Sequence, residues 1–145
     1  MFVGTREGLY KYDRNSNSFV NLFISDNELR NNLGPYFLSV AQAPDHKYWV
    51  GTLGGLLVCD QLEDISSGNF QLFQSVLSDD ASLTDNLVSS LFFDASGVLW
   101  IGTEDGLDKF DSFENQFSLD KDISKFIGNK APRIRVLPKL MMVKF

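Results

Sequence analysis

The side chains able to do chemistry are few and far apart. There is one histidine, His46, and one cysteine, Cys59. Nucleophilic catalysis needs a nucleophile, a base and an orienting acid brought together. With His46 as the only imidazole, and that within the turn-like Pro44-Asp45-His46-Lys47, no such set can be assembled. A single histidine without a second His or Cys nearby is also no metal site. Cys59 ends the apolar run Leu56-Leu57-Val58-Cys59, which predicts a small buried residue; alone, it makes no internal disulfide. Asp79, Asp80 and Asp85 fall close together and could form a weak calcium loop, but the glycine and terminal glutamate of an EF-hand loop are missing, so a solvated loop is expected. Glu104 and Asp105 are paired carboxylates. Adjacent residues on a hairpin tip point apart and stay wet, which leaves nothing to raise a pKa for acid-base work. Gly54-Gly55 lies between two strand-like runs rather than between a strand and a helix, so it is no phosphate loop. The reading is non-catalytic, with no cofactor and no metal.

Those residues must be positioned by strands. The 145 residues include thirteen Phe, four Tyr and two Trp, all strand-favouring, and eleven spaced glycines that favour tight turns. No run approaches the ~18 apolar residues of a membrane helix, and the first residues lack the features of a secretory signal. As written, the chain reads as soluble and cytoplasmic, with no membrane partner. The net charge of −6 conceals an asymmetry, because residues 130–145 carry five basic residues and no acid. The remainder has 8 basic and 19 acidic residues, a net of −11, which argues against nucleic acid as a partner.

A repeat organises the chain. Val3-Gly4-Thr5-Arg6-Glu7-Gly8-Leu9-Tyr10-Lys11-Tyr12-Asp13 recurs as Val50-Gly51-Thr52-Leu53-Gly54-Gly55-Leu56-Leu57-Val58-Cys59-Asp60. It recurs again as Ile101-Gly102-Thr103-Glu104-Asp105-Gly106-Leu107-Asp108-Lys109-Phe110-Asp111, the spacings being 47 and 51 residues. The later copies share a lead-in, Tyr48-Trp49 and Leu99-Trp100. In the third copy, strands are predicted over 88–93, 98–103, 107–110 and 116–119. The turn Asp94-Ala95-Ser96-Gly97 joins the first two, with Asp accepting backbone N–H groups and Gly supplying positive φ. The Asp105-Gly106 hairpin joins the next two. The second copy predicts strands over 37–41, 48–52, 56–59 and 70–73. The first begins inside its second strand and keeps 2–5, 9–12 and 19–23. Nothing reads as a helix.

Leu99-Trp100-Ile101 and Leu56-Leu57-Val58 are apolar on both sides of the pleat. A sheet buried on both faces and repeated in tandem must stack on its own copies, and four strands per ~40–50 residues is the period of a propeller. The fold class is therefore all-β: a partial β-propeller of about three four-stranded antiparallel blades, the first lacking its innermost strand. The blades are placed at 1–25, 36–76 and 87–121 within a region 1–127. Gly4, Gly51, Gly102 and Gly106 are structural motif positions together with Trp49 and Trp100. Gly4, Gly51 and Gly102 fall mid-strand, where glycine serves close approach; a bulky residue of the next blade, such as a ring of the Trp49 or Trp100 type, is expected over each.

The run Asp94 to Asp111 resembles the two-component regulator propeller repeat: Asp, two residues, Gly, one residue, Leu-Trp-Ile-Gly-Thr, two residues, Gly-Leu, two residues, an aromatic and Asp. The second copy departs from it with Pro44-Asp45-His46-Lys47 in the turn and Cys59 at the aromatic position. The resemblance covers residues 1 to about 127. It implies seven-bladed propellers forming the periplasmic sensor region of hybrid histidine kinases, many of which respond to polysaccharide breakdown products. The implied role is ligand sensing with an oligosaccharide as partner, and the motif residues are structural. Three blades do not close a ring, so the chain is expected to be a fragment whose other partners are further blades or itself. Residues 128–145 form an atypical basic tail. A shift of reading frame beneath 139–145 is one account of it; an unrelated extension is the other.

In a propeller, the loops from fourth to next first strand and from second to third strand open on one face. That face offers Arg6, Glu7, Arg30, Asn31, Tyr36, Glu104 and Asp105 as candidate ligand-binding residues: hydrogen-bond donors and acceptors with an aromatic platform. The alternative is a structural or interaction role, or a non-functional remnant, in which apolar blade faces drive association.

Overall fold

The computed structural model describes residues 1–5, 7–22, 27–34, 36–111 and 116–119. Eleven strands and two short helices are found among them. The first sheet is β1 (Phe2–Thr5), β2 (Gly8–Asp13) and β3 (Ser18–Asn21). The second is β4 (Phe37–Gln42), β5 (Tyr48–Thr52), β6 (Leu56–Cys59) and β7 (Gln71–Phe73). The third is β8 (Val88–Phe93), β9 (Leu99–Thr103), β10 (Leu107–Asp111) and β11 (Gln116–Leu119). Each is an antiparallel meander with strands paired in chain order.

The sheets are propeller blades. β4 and β8, the first strands of consecutive blades, run side by side, β1 lies against β4, and β5 lies against β8. Both first strands carry an irregularity at the same place, between Phe37 and Ser39 and between Val88 and Ser90.

The second blade is buried on both faces, as its sequence requires. Leu57 and Cys59 point with Val50 into a core shared with Leu9, Phe37, Leu62 and Ile65. Leu56 and Val58 point the other way, with Trp49, into a core shared with Val88, Leu99, Ile101, Phe110 and Phe117 of the third blade. Alternation along one strand thus feeds two inter-blade cores. The second is aromatic: Trp49 stacks on Phe73 at 6° and 6.0 Å between centroids, and meets Phe110 at 4.9 Å.

Two expectations need correction. Gly4 and Gly51 do not lie beneath a tryptophan ring. A Cβ on Gly4 would stand 2.8 Å from the Phe37 carbonyl oxygen, and one on Gly51 would stand 2.6 Å from the Val88 carbonyl oxygen. The close approach is to the first residue of the next blade, and Trp49 belongs to the aromatic core instead. Helices are also present. α1 (Asn27–Leu33) occupies the connection between the first two blades, and α2 (Asp64–Ser67) the connection from β6 to β7. Neither is long enough to stand alone. Leu33 and Ile65 are fully buried and anchor them, and Gly68 ends α2 in the left-handed region at φ 75°. Next to α2, Glu63 pairs with Lys11 of β2 and ties the first two blades together.

Candidate functional site

The loop face is built on a threonine that recurs in every blade. Thr5, Thr52 and Thr103 each donate through Oγ1 to the carbonyl of the glycine three residues on, at 3.0, 2.8 and 3.0 Å. The same oxygens accept the N–H of Glu7 at 3.0 Å and of Gly54 at 3.1 Å. Each hydroxyl clamps the tip between second and third strand, fixing where its two tip residues project. The Thr-x-x-Gly repeated in all three copies is the sequence signal for this role.

α1 rests on the tip of the second blade. A Cβ on Gly54 would collide with the Asn32 carbonyl oxygen and stand 2.6 Å from the Leu33 Cα. Only glycine at the tip lets the helix backbone come this close. The helix thereby holds Arg30 and Asn31, both exposed, over the Leu53-Gly54 tip, where they share a shallow depression with Asn27 and Gly34. Tyr36 is half-buried just before β4. Glu7 and Asp105 are exposed on the first and third tips and Glu104 is half-buried, and none of the three lines the Arg30–Asn31 depression. Arg6 lies outside the described residues, as do residues 120–145 and with them the basic tail.

In the acidic loop between the second and third blades, Asp79 and Asp85 turn their carboxylates on the loop itself. Asp79 Oδ1 accepts from the Ala81 N–H at 2.9 Å, and Asp85 Oδ1 from the Leu87 N–H at 2.7 Å. Among the described residues, no group of three His, Cys, Asp or Glu side chains is placed to hold a metal ion. The loop is latched by Asp108, a fully buried carboxylate on β10 that accepts from the Thr84 N–H at 2.9 Å and from the Thr84 hydroxyl. Burial pushes the Asp108 carboxyl above its ordinary value, with the Thr84 hydrogen bonds working against that shift. The sequence carried a hint: Asp108 stands where the second blade has Leu57.

At the other end of the third blade, Asp94 organises its turn. Oδ1 accepts from the Ser96 N–H at 2.8 Å, the Ser96 hydroxyl at 2.6 Å and the Val98 N–H at 3.1 Å. Oδ2 accepts from Trp100 Nε1 at 2.9 Å. Hydrogen bonds from Ser96 and then Trp100 hold the Asp94 carboxyl down at about 2. The spacing from Asp to Trp in the repeat therefore records a side-chain bond as well as a turn.

Residues 82–105, which contain this turn, match the family described as "Two component regulator propeller". This stretch is a two-component regulator propeller repeat. Among solved structures, the chain is similar to the extracellular domain of BT4673 from B. thetaiotaomicron, titled a one-component system, with TM-score 0.58 and 19% identity over 81% of this chain. A second structure of that domain, titled a hybrid two-component system, gives TM-score 0.57 and 20% identity over 81% of this chain. The chain spans 13% of either structure, and the likeness is one of fold. No curated protein matches the chain. Among the described residues, no helix is long and apolar enough to cross a membrane. The two-component regulator propeller repeat supplies Leu83, Val88, Leu99 and Ile101 to the core shared by the second and third blades.

Proposed function

We propose that this chain is a non-catalytic, extracytoplasmic ligand-sensing segment of a signal-transduction receptor, and that it takes a small polar ligand such as an oligosaccharide on its loop face. The observation that carries this reading is the match of residues 82–105 to the two-component regulator propeller, on a fold shared with the extracellular domain of BT4673. The loop face supports it chemically. α1 presents a guanidinium and a carboxamide, Arg30 and Asn31, on a rigid tip, and groups with planar donor geometry suit hydroxyl-rich ligands. Glu7 and Asp105 on neighbouring tips offer acceptors.

Isothermal titration of the full chain against a panel of neutral oligosaccharides tests this. The expected result is saturable binding that Arg30→Ala with Asn31→Ala reduces about tenfold or more. Absence of binding across the panel, or binding indifferent to both substitutions, rejects the loop-face reading.

A second reading, a propeller segment whose role is association, is favoured by apolar side chains left in solvent. Phe19, Val20, Leu38 and Val40 are 40–52% exposed on the first and second blades. Light scattering on the eluting protein decides it: a discrete multimer without ligand supports association, and a monomer removes it.

A further inference from the structure

The turns joining first to second strand in the second and third blades lie beside each other, at the end of the strands away from α1. Between them is a pocket of about 240 Å³ whose walls include Trp49, Phe93 and Phe110, with Asp45 and Ser96 contributing polar groups. The lining residues come from the second and third blades.

The internal repeat shows what is unusual here. In the third blade, Asp94 stands six residues before Trp100 and accepts its indole N–H at 2.9 Å. Six residues before Trp49 stands Ala43, so a methyl replaces the carboxylate. Trp49 is only 7% exposed, yet among the described residues its indole N–H has no hydrogen-bond partner. That nitrogen is not sealed in the core, because Ser39 Oγ is the enclosed side-chain polar atom left without a partner there. Trp49 itself lines the pocket. The same turn departs a second time. Gly97 takes φ 87° in the third blade, and His46 takes φ 72° at the matching place, a left-handed conformation that is strained for a residue with a side chain and tends to mark functional sites.

We propose that this pocket binds one small uncharged ring whose leading oxygen accepts the Trp49 indole N–H. A nearly buried donor without a partner favours an acceptor. Aromatic walls favour the face of a ring. Asp45 and the overall net charge of −6 disfavour an anion, and an ammonium group has no lone pair with which to accept the indole N–H. The volume is below the ~300 Å³ at which drug-sized sites begin, so it holds one ring and not a chain. A terminal pyranose and an aromatic amide share this chemistry. The pocket is at the opposite end of the blades from Arg30 and Asn31, so it goes beyond the loop-face reading and stands or falls separately.

The test uses the two tryptophans as paired reporters. The ¹⁵N-labelled full chain should give two indole cross-peaks, from Trp49 and Trp100. Methyl β-D-glucopyranoside and benzamide are titrated at millimolar concentration, with benzoate and benzylammonium as charged controls. The expected result is a saturable shift of the Trp49 peak by at least one neutral probe, with Trp100 unmoved. The arm that saturates names the source as saccharide or aromatic amide. Ala43→Asp restores the repeat's carboxylate; it should move the Trp49 peak toward that of Trp100 and weaken binding about tenfold or more. Should that variant lose the Trp100 peak through misfolding, Ser96→Tyr, on an exposed turn residue at the mouth, must weaken binding instead. No Trp49 shift with either neutral probe, an equal shift with a charged control, or binding indifferent to the variant that folds overturns the proposal.

Discussion

Gly51 and Val88 belong to different blades, and a Cβ on the glycine would stand 2.6 Å from the valine carbonyl oxygen and 2.7 Å from its Cγ1. Gly51 has no positive φ among those recorded, so its cost of substitution is steric. Ser39 Oγ, on the paired strand of the same blade, would stand nearer still and can rotate aside, but the nearest atom of Val88 is backbone, and relief there requires the blades to part. Gly51→Ala is expected to cost about 1–3 kcal/mol, the range for overpacking a tight site. Equilibrium urea unfolding measures it. Val88→Ala on top should recover only part of the loss, because the carbonyl remains. Wild-type stability in the single variant would mean that the blades do not meet here.

The strands were legible because the turn chemistry is written out three times. Thr52 and Gly55, or Thr103 and Gly106, bracket each tip, and Asp94 and Gly97 bracket the wider turn. The tandem repeat of doubly apolar strands then made stacking the one way to bury Leu56 and Leu57 together. What escaped sequence reading is set by contacts between repeats. α1 has two turns and owes its place to Gly54, far along the chain. Across the blades, the atom nearest Gly51 is the Val88 carbonyl oxygen, and a backbone atom leaves no trace in residue types. Arg30 and Asn31 were named from an extended loop, and the structure places them on a helix. The Ala43 departure was readable once Trp100 was known to bond Asp94.

Asp94 predicts acid sensitivity at one turn. Its folded pKa, about 2, is below the ordinary 3.8, so the stabilisation is fully present above 3.8 and is lost as pH falls toward 2. Protonation over that window weakens the acceptor that Trp100 bonds. Indole N–H exchange at Trp100 should therefore accelerate on acidification through that range, ahead of global unfolding. Asp94→Asn keeps one acceptor oxygen in place of two. It should lower the melting temperature at neutral pH and remove this acid step.

Asp108 acts in the opposite sense. Its folded pKa is raised by burial, so the folded chain holds a proton at pH values where the unfolded chain has released it. Stability from this group grows as pH falls through the raised value toward the ordinary 3.8. Asn can accept the Thr84 N–H without carrying a charge. The difference in unfolding free energy between wild type and Asp108→Asn should therefore shift toward wild type as pH is lowered. Asp108→Ala leaves the Thr84 groups unpaired and should cost about 1–3 kcal/mol, a cost that grows as pH is lowered through the same window. A pH-independent difference for Asp108→Asn would mean that the carboxyl is not perturbed.

Cys59 offers a clock for opening of the second blade. It is 4% exposed on β6, and its thiol is pushed up to about 12, by burial first and then by Asp64, Asp60 and Glu63. The thiolate is the reactive species, so at pH 8 roughly one thiol in ten thousand is ionised in the folded chain. Opening β6 removes both barriers, exposing the sulfur and returning its pKa to the ordinary range. Because Leu57 and Cys59 share a core with Leu9 and Ile65, that opening separates the first blade from the second. Labelling by an aromatic disulfide reagent should be negligible in the native chain and should follow the population of the open form as urea is added. The Lys11–Glu63 pair joins the same two blades, so Glu63→Gln should speed labelling more than Asp60→Asn, although both remove a carboxylate near the sulfur. Immediate stoichiometric labelling without denaturant would show that this face of the second blade opens freely.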